Sequence, residues 1–226
     1  MTRTRHLGET PADGLLGGDH VATGRLPATS ADEVTTMVDK ILRWEEQEIS
    51  PSVLLLSDEE NDFSVLSEDL AALMPSHPIH IDAYNGGTRD QTLDLLNSRD
   101  AVWANYVGHG SPLRLGAFLE REDAPSWRTP GVMVAWTCLA AHFAHPTEPS
   151  MAETWLQSER GVVAFLGPTG ETLTMEQRPF AEGLYDALPE AERLGDAWLA
   201  ALARGQAVDV AVGYVILGDP AMKVYW

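Results

Sequence analysis

One cysteine, Cys138, is all that the sequence contains. No disulfide can therefore form within the chain, the fold has to rest on a buried core, and a reducing compartment suits it. Basic residues are also scarce: 15 Lys and Arg stand against 34 Asp and Glu, a formal charge of −19. That balance argues against a nucleic-acid partner, which would need a basic footprint. The acidity is spread along the chain instead of gathered in a tail, so it serves solubility first and is compatible with cationic substrates second. No apolar run reaches the length of a membrane span, and residues 1–11 lack the apolar stretch of a secretory signal. The expectation is no membrane partner and a cytoplasmic location, or a secreted one if the chain is the mature piece of a precursor. Neither G-x-x-x-x-G-K-[ST] nor G-x-G-x-x-G after a strand occurs, which disfavours a nucleotide-binding α/β domain. Internal repeats and low-complexity segments are absent too.

What is present is enough apolar material for one core. At 226 residues and 44% hydrophobic content, a single domain is the default. Residues 1–19 are rich in Gly, Thr and Asp without a sustained apolar period and read as a loose arm, leaving 20–226 as the domain. Within it, helical and strand patterns alternate. Residues 31–48 read as a helix capped by Ser30, with Val34, Met37, Val38, Ile41 and Leu42 on one face. Short continuous apolar runs at 53–56, 79–81, 101–107, 132–136 and 161–167 read as buried strands. Helices are expected near 65–74, 91–96, 150–159, 176–188 and 194–203. Strand after helix after strand predicts an α/β fold with a mostly parallel central sheet. The stretch 111–130 is long for a connection and reads as a functional or mobile loop.

Two short segments carry chemistry. Asn105-Tyr106-Val107-Gly108-His109-Gly110-Ser111 places a histidine, and Trp136-Thr137-Cys138 the only cysteine, at the ends of two apolar runs. A lone cysteine is more often a small buried hydrophobe, and a histidine near a turn is more often a surface side chain. Both at strand ends together fit another purpose. A thiol attacks a carbonyl only as thiolate or with a base at hand, and the ends of parallel strands open onto one shared crevice. Glycines on both sides of His109 let the chain turn and leave main-chain N–H groups approachable.

These segments resemble the gingipain-type cysteine peptidases, peptidase family C25. Gly24-Arg25-Leu26-Pro27-Ala28 is similar to the family's opening segment, 105–111 to its histidine block, Thr137-Cys138 to its nucleophile, and 161–167 with Leu217-Gly218-Asp219-Pro220-Ala221 to its later strand and closing turn. The likeness runs from about residue 20 to the end. The family usually has more chain ahead of the first segment and further domains after the last, and Leu139-Ala140-Ala141-His142 replaces a more polar sequence.

The resemblance implies a caspase-like, three-layer α/β/α sandwich and a cysteine endopeptidase. Cys138 becomes the nucleophile, His109 the base, and the N–H groups of Gly110 and Cys138 the oxyanion hole. An acidic residue after the 53–56 strand orients the histidine; Asp58 and Glu59 are the candidates, with Glu59 preferred. The substrate pocket, S1, is assigned to Asp62, Trp136, Thr174 and Met175, with cleavage after Arg and, second, Lys, because a carboxylate takes guanidinium in bidentate fashion. No cofactor is required. Calcium is compatible with the acidity and common among relatives, although no EF-hand-like spacing occurs. The expected partners are a protein or peptide substrate with Arg at the cleavage site and an activating protease or regulatory partner that relieves latency. The competing reading is a catalytically silent caspase-like binding or scaffold module.

Overall fold

The structure, a computed structural model, describes residues 2–3, 9–12, 14–17, 20–48, 50, 52–74, 78–98, 102–205 and 207–226. Seven strands form the central sheet: β1 (Gly24–Arg25), β2 (Val53–Ser57), β3 (Ile79–Asp82), β4 (Trp103–Val107), β5 (Gly131–Trp136), β6 (Val162–Pro168) and β7 (Tyr214–Leu217). Their order across the sheet is β1-β7-β6-β5-β4-β2-β3. The run from β3 to β6 is parallel, β7 is antiparallel to β6, and β1 is parallel to β7. The mostly parallel sheet expected from the apolar runs is there, with strands that are buried along their whole length from β4 to β7.

Side chains alternate between two apolar clusters, one on each face. Val53 and Leu55 with Trp103 and Val107 join one cluster; Leu54 and Leu56 with Ala104 and Tyr106 join the other. The first is covered by α2 (Asn61–Ala71), α5 (Thr174–Ala187) and α6 (Leu194–Leu202), through Phe63, Leu66, Phe180, Leu184 and Trp198. The second is covered by α1 (Ala31–Glu46), α3 (Arg89–Ser98) and α4 (Met151–Gln157), through Met37, Leu96, Met151 and Trp155. A short α7 (Val208–Gly213), not expected from the sequence, leads directly into β7.

Local differences from the pattern have plain causes. Ser30 does cap α1, accepting the Glu33 N–H at 3.3 Å, yet α1 buries Met37, Lys40, Ile41 and Trp44 and leaves Val34, Val38 and Leu42 exposed. The buried stripe is rotated because the Lys40 stem crosses the core and its ammonium finds acceptors there. The 111–130 stretch is neither open nor unstructured: a hairpin pairs Arg114–Leu115 with Glu120 and Leu119, a 3-10 turn covers Arg121–Ser126, and Phe118, Leu119 and Trp127 are buried. The residues read as an arm lie partly outside the described residues; of the rest, Thr2–Arg3 pairs with Glu9–Thr10, and the Pro11 carbonyl accepts the Thr169 hydroxyl at 2.6 Å. Among the described residues, no helix is long and apolar enough to cross a membrane.

Candidate active site

β4 and β5 are neighbours in parallel register, Val107 opposite Trp136. His109 and Cys138 each lie two residues past that pair, so the imidazole and the thiol leave the same edge of the sheet from adjacent strands, whose spacing is about 4.8 Å. The crossing between them is tight. A Cβ on Gly110 would fall 2.2 Å from Thr137 Oγ1 and 3.0 Å from the Cys138 carbonyl, and one on Gly108 only 2.4 Å from the Tyr106 hydroxyl and from Asp58 Cβ. The two glycines are thus required by close approach of chain to chain.

Hydrogen bonds fix the histidine from both sides. Its backbone N–H donates to Asp58 Oδ2 at 3.2 Å, and the one proton of the Tyr106 hydroxyl is shared between the His109 carbonyl at 2.6 Å and Asp58 Oδ2 at 3.0 Å. The ring rests edge-on against Phe63, 5.0 Å between centroids. Its Nε2 is 2.8 Å from Glu60 Oε1. The carboxylate that reaches the imidazole is therefore Glu60, whereas Glu59, the expected orienting acid, is exposed and Asp58, the other candidate, is buried against the backbone. Asp58 follows β2, where its N–H still bonds the Val107 carbonyl at 3.0 Å. Glu60 is the residue that precedes α2, in extended conformation, and the turn into the helix brings it to the ring.

The cysteine side is more enclosed. Cys138 Sγ is 3.4 Å from the Thr172 carbonyl, to which the thiol donates. Burial, joined by the nearby Glu171 carboxylate and offset in part by the Thr172 backbone, holds the thiol pKa above its ordinary value. Thr172 is itself anchored: its hydroxyl donates to the Thr137 carbonyl at 3.0 Å, and Gln177 Nε2 donates to that carbonyl at 2.9 Å and to Thr172 Oγ1 at 2.8 Å. Immediately after the thiol, Leu139 has φ 59°, the only non-glycine residue with positive φ among those described. The Leu139 N–H bonds Gly170 O at 3.0 Å and the Ala141 N–H bonds Pro168 O at 3.0 Å, which closes the turn against the 168–172 segment. The N–H groups of Gly110 and Cys138 make no hydrogen bond to another backbone group among the described residues.

Beside the ring is a pocket of about 350 Å³ bounded by Glu60, Asp62, Phe63, His109, Met175 and Arg178, with Thr174 on its wall. Three expected pocket residues, Asp62, Thr174 and Met175, therefore do meet at the histidine. Trp136 does not join them. It is on the face of the sheet that α2 and α5 cover, but buried beneath α5, edge-on to Phe180, stacked on Tyr214 with centroids 5.4 Å apart and donating its ring N–H to Tyr185 at 3.0 Å; strand alternation puts it in line with Val132 and Val134, inside the core. Sequence reasoning missed Glu60, the Asp58–Tyr106 anchor, the Thr172–Gln177 brace and Arg178. The first has a signal in retrospect: Ser57 pairs with Val107 across β2 and β4, so the residues that follow each strand run on side by side.

No group of three or more His, Cys, Asp or Glu side chains is placed to hold a metal ion among the described residues.

The sequence profile of peptidase family C25 matches residues 13–225. No curated protein matches the sequence. Among solved structures, the Arg specific cysteine proteinase gingipain R (RgpB) is similar with a TM-score of 0.77 at 17% identity, over 99% of this chain and 61% of that one. The complex of Porphyromonas gingivalis RgpB pro- and mature domains gives 0.76 at 17%, over 89% and 56%. A more distant likeness, to the Saccharomyces cerevisiae separase-securin complex, has a TM-score of 0.59 at 14% identity, over 83% of this chain and 13% of that one. The chain spans 56% and 61% of the two gingipain chains it matches. At these identities the likeness carries the fold: a mostly parallel sheet between two helical layers, of the caspase-like kind.

Proposed function

The chain belongs to peptidase family C25, and from that membership we propose that it is a cysteine endopeptidase cleaving protein substrates after Arg, with Lys second, through a Cys138–His109 dyad. The observation that carries this reading is the matched exit of thiol and imidazole from β4 and β5, with Glu60 2.8 Å from the imidazole Nε2. Glu60 favours the tautomer protonated at Nε2 and leaves Nδ1 to take the thiol proton. The thiolate adds to the scissile carbonyl, and the Gly110 and Cys138 N–H groups receive the oxygen as it becomes negative. Imidazolium, stabilised by Glu60, then protonates the departing amine. Water, deprotonated by the same ring, attacks the thioester and restores the free thiol. Asp62, on the pocket wall, is the partner for the substrate guanidinium, and Thr174 and Met175 border its path.

Two further parts of the reading concern control and place. The resting thiol donates to Thr172 and is held protonated, which suits an enzyme kept latent until a protease or a regulatory partner shifts the 168–172 segment. A catalytic thiol without a disulfide partner also suits the reducing cytoplasm. No step is assigned to calcium.

Hydrolysis of matched fluorogenic peptides ending in Arg, Lys, Asp or Leu, with reductant and with or without calcium, tests the proposal. Cleavage after Arg that disappears in Cys138→Ala and in His109→Ala, with thermal stability unchanged, supports it. Activity surviving in Cys138→Ala overturns it. An enzyme that cleaves nothing and whose Cys138 ignores an Arg-directed covalent probe is a silent module instead. Intact mass of the active form decides between activation by cutting, which leaves two fragments, and activation by a partner, which leaves one chain.

A further inference from the structure

The pocket beside His109 has an arginine in its wall. Arg178, in the second turn of α5, lines it together with Glu60, Asp62 and Met175. Its Nη2 is 2.5 Å from Asp69 Oδ2 and its Nη1 3.3 Å from Glu182 Oε1. Asp69 belongs to α2, two turns beyond Asp62, and does not line the pocket; Glu182 is on α5 itself. The Arg178–Asp69 pair therefore ties the two helices that form the pocket walls, and it fixes a cationic side chain in the same wall as Asp62. Hydrogen bonding to Asp69, above all, keeps Arg178 firmly charged. Like charges sharing a small, partly desolvated space repel.

We propose that Arg178 is a specificity-determining residue, a counter-charge on the pocket wall that weakens capture of arginine side chains and so holds the preference for Arg over neutral residues below what Glu60 and Asp62 alone would give. The inference rests on the reading that this pocket takes the substrate arginine. Its physical content is a trade: of the two residues that strap α2 to α5, the cationic one lines the pocket and the anionic one does not. Reversing the strap keeps the distance and removes the repulsion. Because the pair is partly exposed, the effect is modest and sensitive to salt.

The experiment is the ratio of kcat/KM for matched Arg and Leu fluorogenic peptides, in the wild type, in Arg178→Met and in the exchange variant Asp69→Arg/Arg178→Asp. Arg178→Met is expected to raise the Arg-to-Leu ratio about threefold to fivefold, the scale of a partly screened charge interaction. The change falls on KM more than kcat and shrinks as salt is raised. The exchange variant is expected to show the same gain, or a larger one. A ratio that returns to the wild-type value in the exchange variant assigns Arg178 to the strap alone and overturns the proposal, as does an unchanged ratio in both. Asp62→Asn separates the inference from its premise. If that variant loses Arg cleavage while Arg178→Met leaves the ratio alone, only the counter-charge is wrong. If Asp62→Asn leaves Arg cleavage intact, the pocket is not the arginine site and both fall.

Discussion

The two edges of the sheet treat buried polar groups in opposite ways. At the edge where β6 begins, Lys40 is 1% exposed and its ammonium is surrounded by carbonyl oxygens: Leu156 and Ser158 at 2.6 Å, Val162 at 2.8 Å and Trp155 at 3.4 Å. Most of these are the acceptors that the end of α4 leaves without partners, and a cation is what a helix C-terminus attracts. At the edge where β4 and β5 end, groups are left over. Among the described residues, Thr137 Oγ1 is buried without a partner, the N–H groups of Gly110 and Cys138 have no backbone acceptor, Leu139 is held at positive φ, and the thiol is pushed toward its neutral form. One edge surrounds its buried amine with acceptors and stabilises the fold. The other tolerates strain and unmet hydrogen bonds, which is where a reaction finds its donors and its nucleophile.

The sharpest way to break this contrast is to remove that amine. Lys40→Met should keep the stem's packing and strand the carbonyls, costing about 3 kcal/mol or more of stability. Urea unfolding measures the loss, and activity per folded molecule is expected to remain at the wild-type level, because the site lies at the other end of the strands. A loss under about 1 kcal/mol would mean that water replaces the amine without difficulty.

The next effect separates two neighbouring acids at the other edge. Glu60→Gln should reduce kcat about tenfold, less than a buried orienting carboxylate would, since both the imidazole and Glu60 are largely exposed to water. Glu59→Gln should change it by less than twofold, within the range of a surface substitution of about 0.5 kcal/mol. Equal losses in the two variants would place the effect in the general acidity of the turn, not in the contact to Nε2.

The thiol offers a third comparison, by pH. With burial the main cause, Cys138 is protonated through the neutral range, so alkylation by iodoacetamide should be slow there and rise with a midpoint above the ordinary thiol value of about 8.5. Glu171→Gln removes a negative charge that resists ionisation, and the midpoint should move down. A midpoint below the ordinary value in the wild type would show that the imidazole already holds the thiolate as an ion pair, and would end the picture of a resting, neutral thiol.

How much of this was legible in the sequence follows the same division. The strands were readable because a sheet covered on both faces demands continuous apolar runs, and the ends of two of them carried the motif residues. Asp62, Thr174 and Met175 line one pocket because each lies in the first turn of a helix that flanks it. Trp136 is on the face that the pocket helices cover, but α5 and Tyr214 bury it in the core, and sequence does not show how much of a strand end its flanking helix covers. Glu59 gave way to Glu60 for a similar reason: in the turn from β2 to α2 consecutive acids point in different directions, and no periodicity marks which one meets the ring. Arg178 and Lys40 could not be found this way. Their partners are remote in sequence, and nothing in the local pattern of α1 or α5 distinguishes a buried or bridging cation from a solvated one.

The smallest expected effect concerns the turn after Cys138. Leu139 pays a conformational cost at φ 59° that glycine does not. Replacing it by glycine relieves that cost but frees the unfolded chain, so the net gain in stability is only about 0.5 kcal/mol. Activity should move the other way. The turn is held by the Leu139 N–H on Gly170 O and the Ala141 N–H on Pro168 O, and a stiff residue between them keeps the Cys138 N–H aimed at the crevice while the thiol reaches Thr172. With glycine there, that aim is held by two hydrogen bonds without the restricted backbone, and kcat is expected to fall while KM stays. Thermal unfolding and peptide hydrolysis on the same preparation check both signs at once. A variant that is both more stable and fully active would show that the strain at this edge has no part in the chemistry.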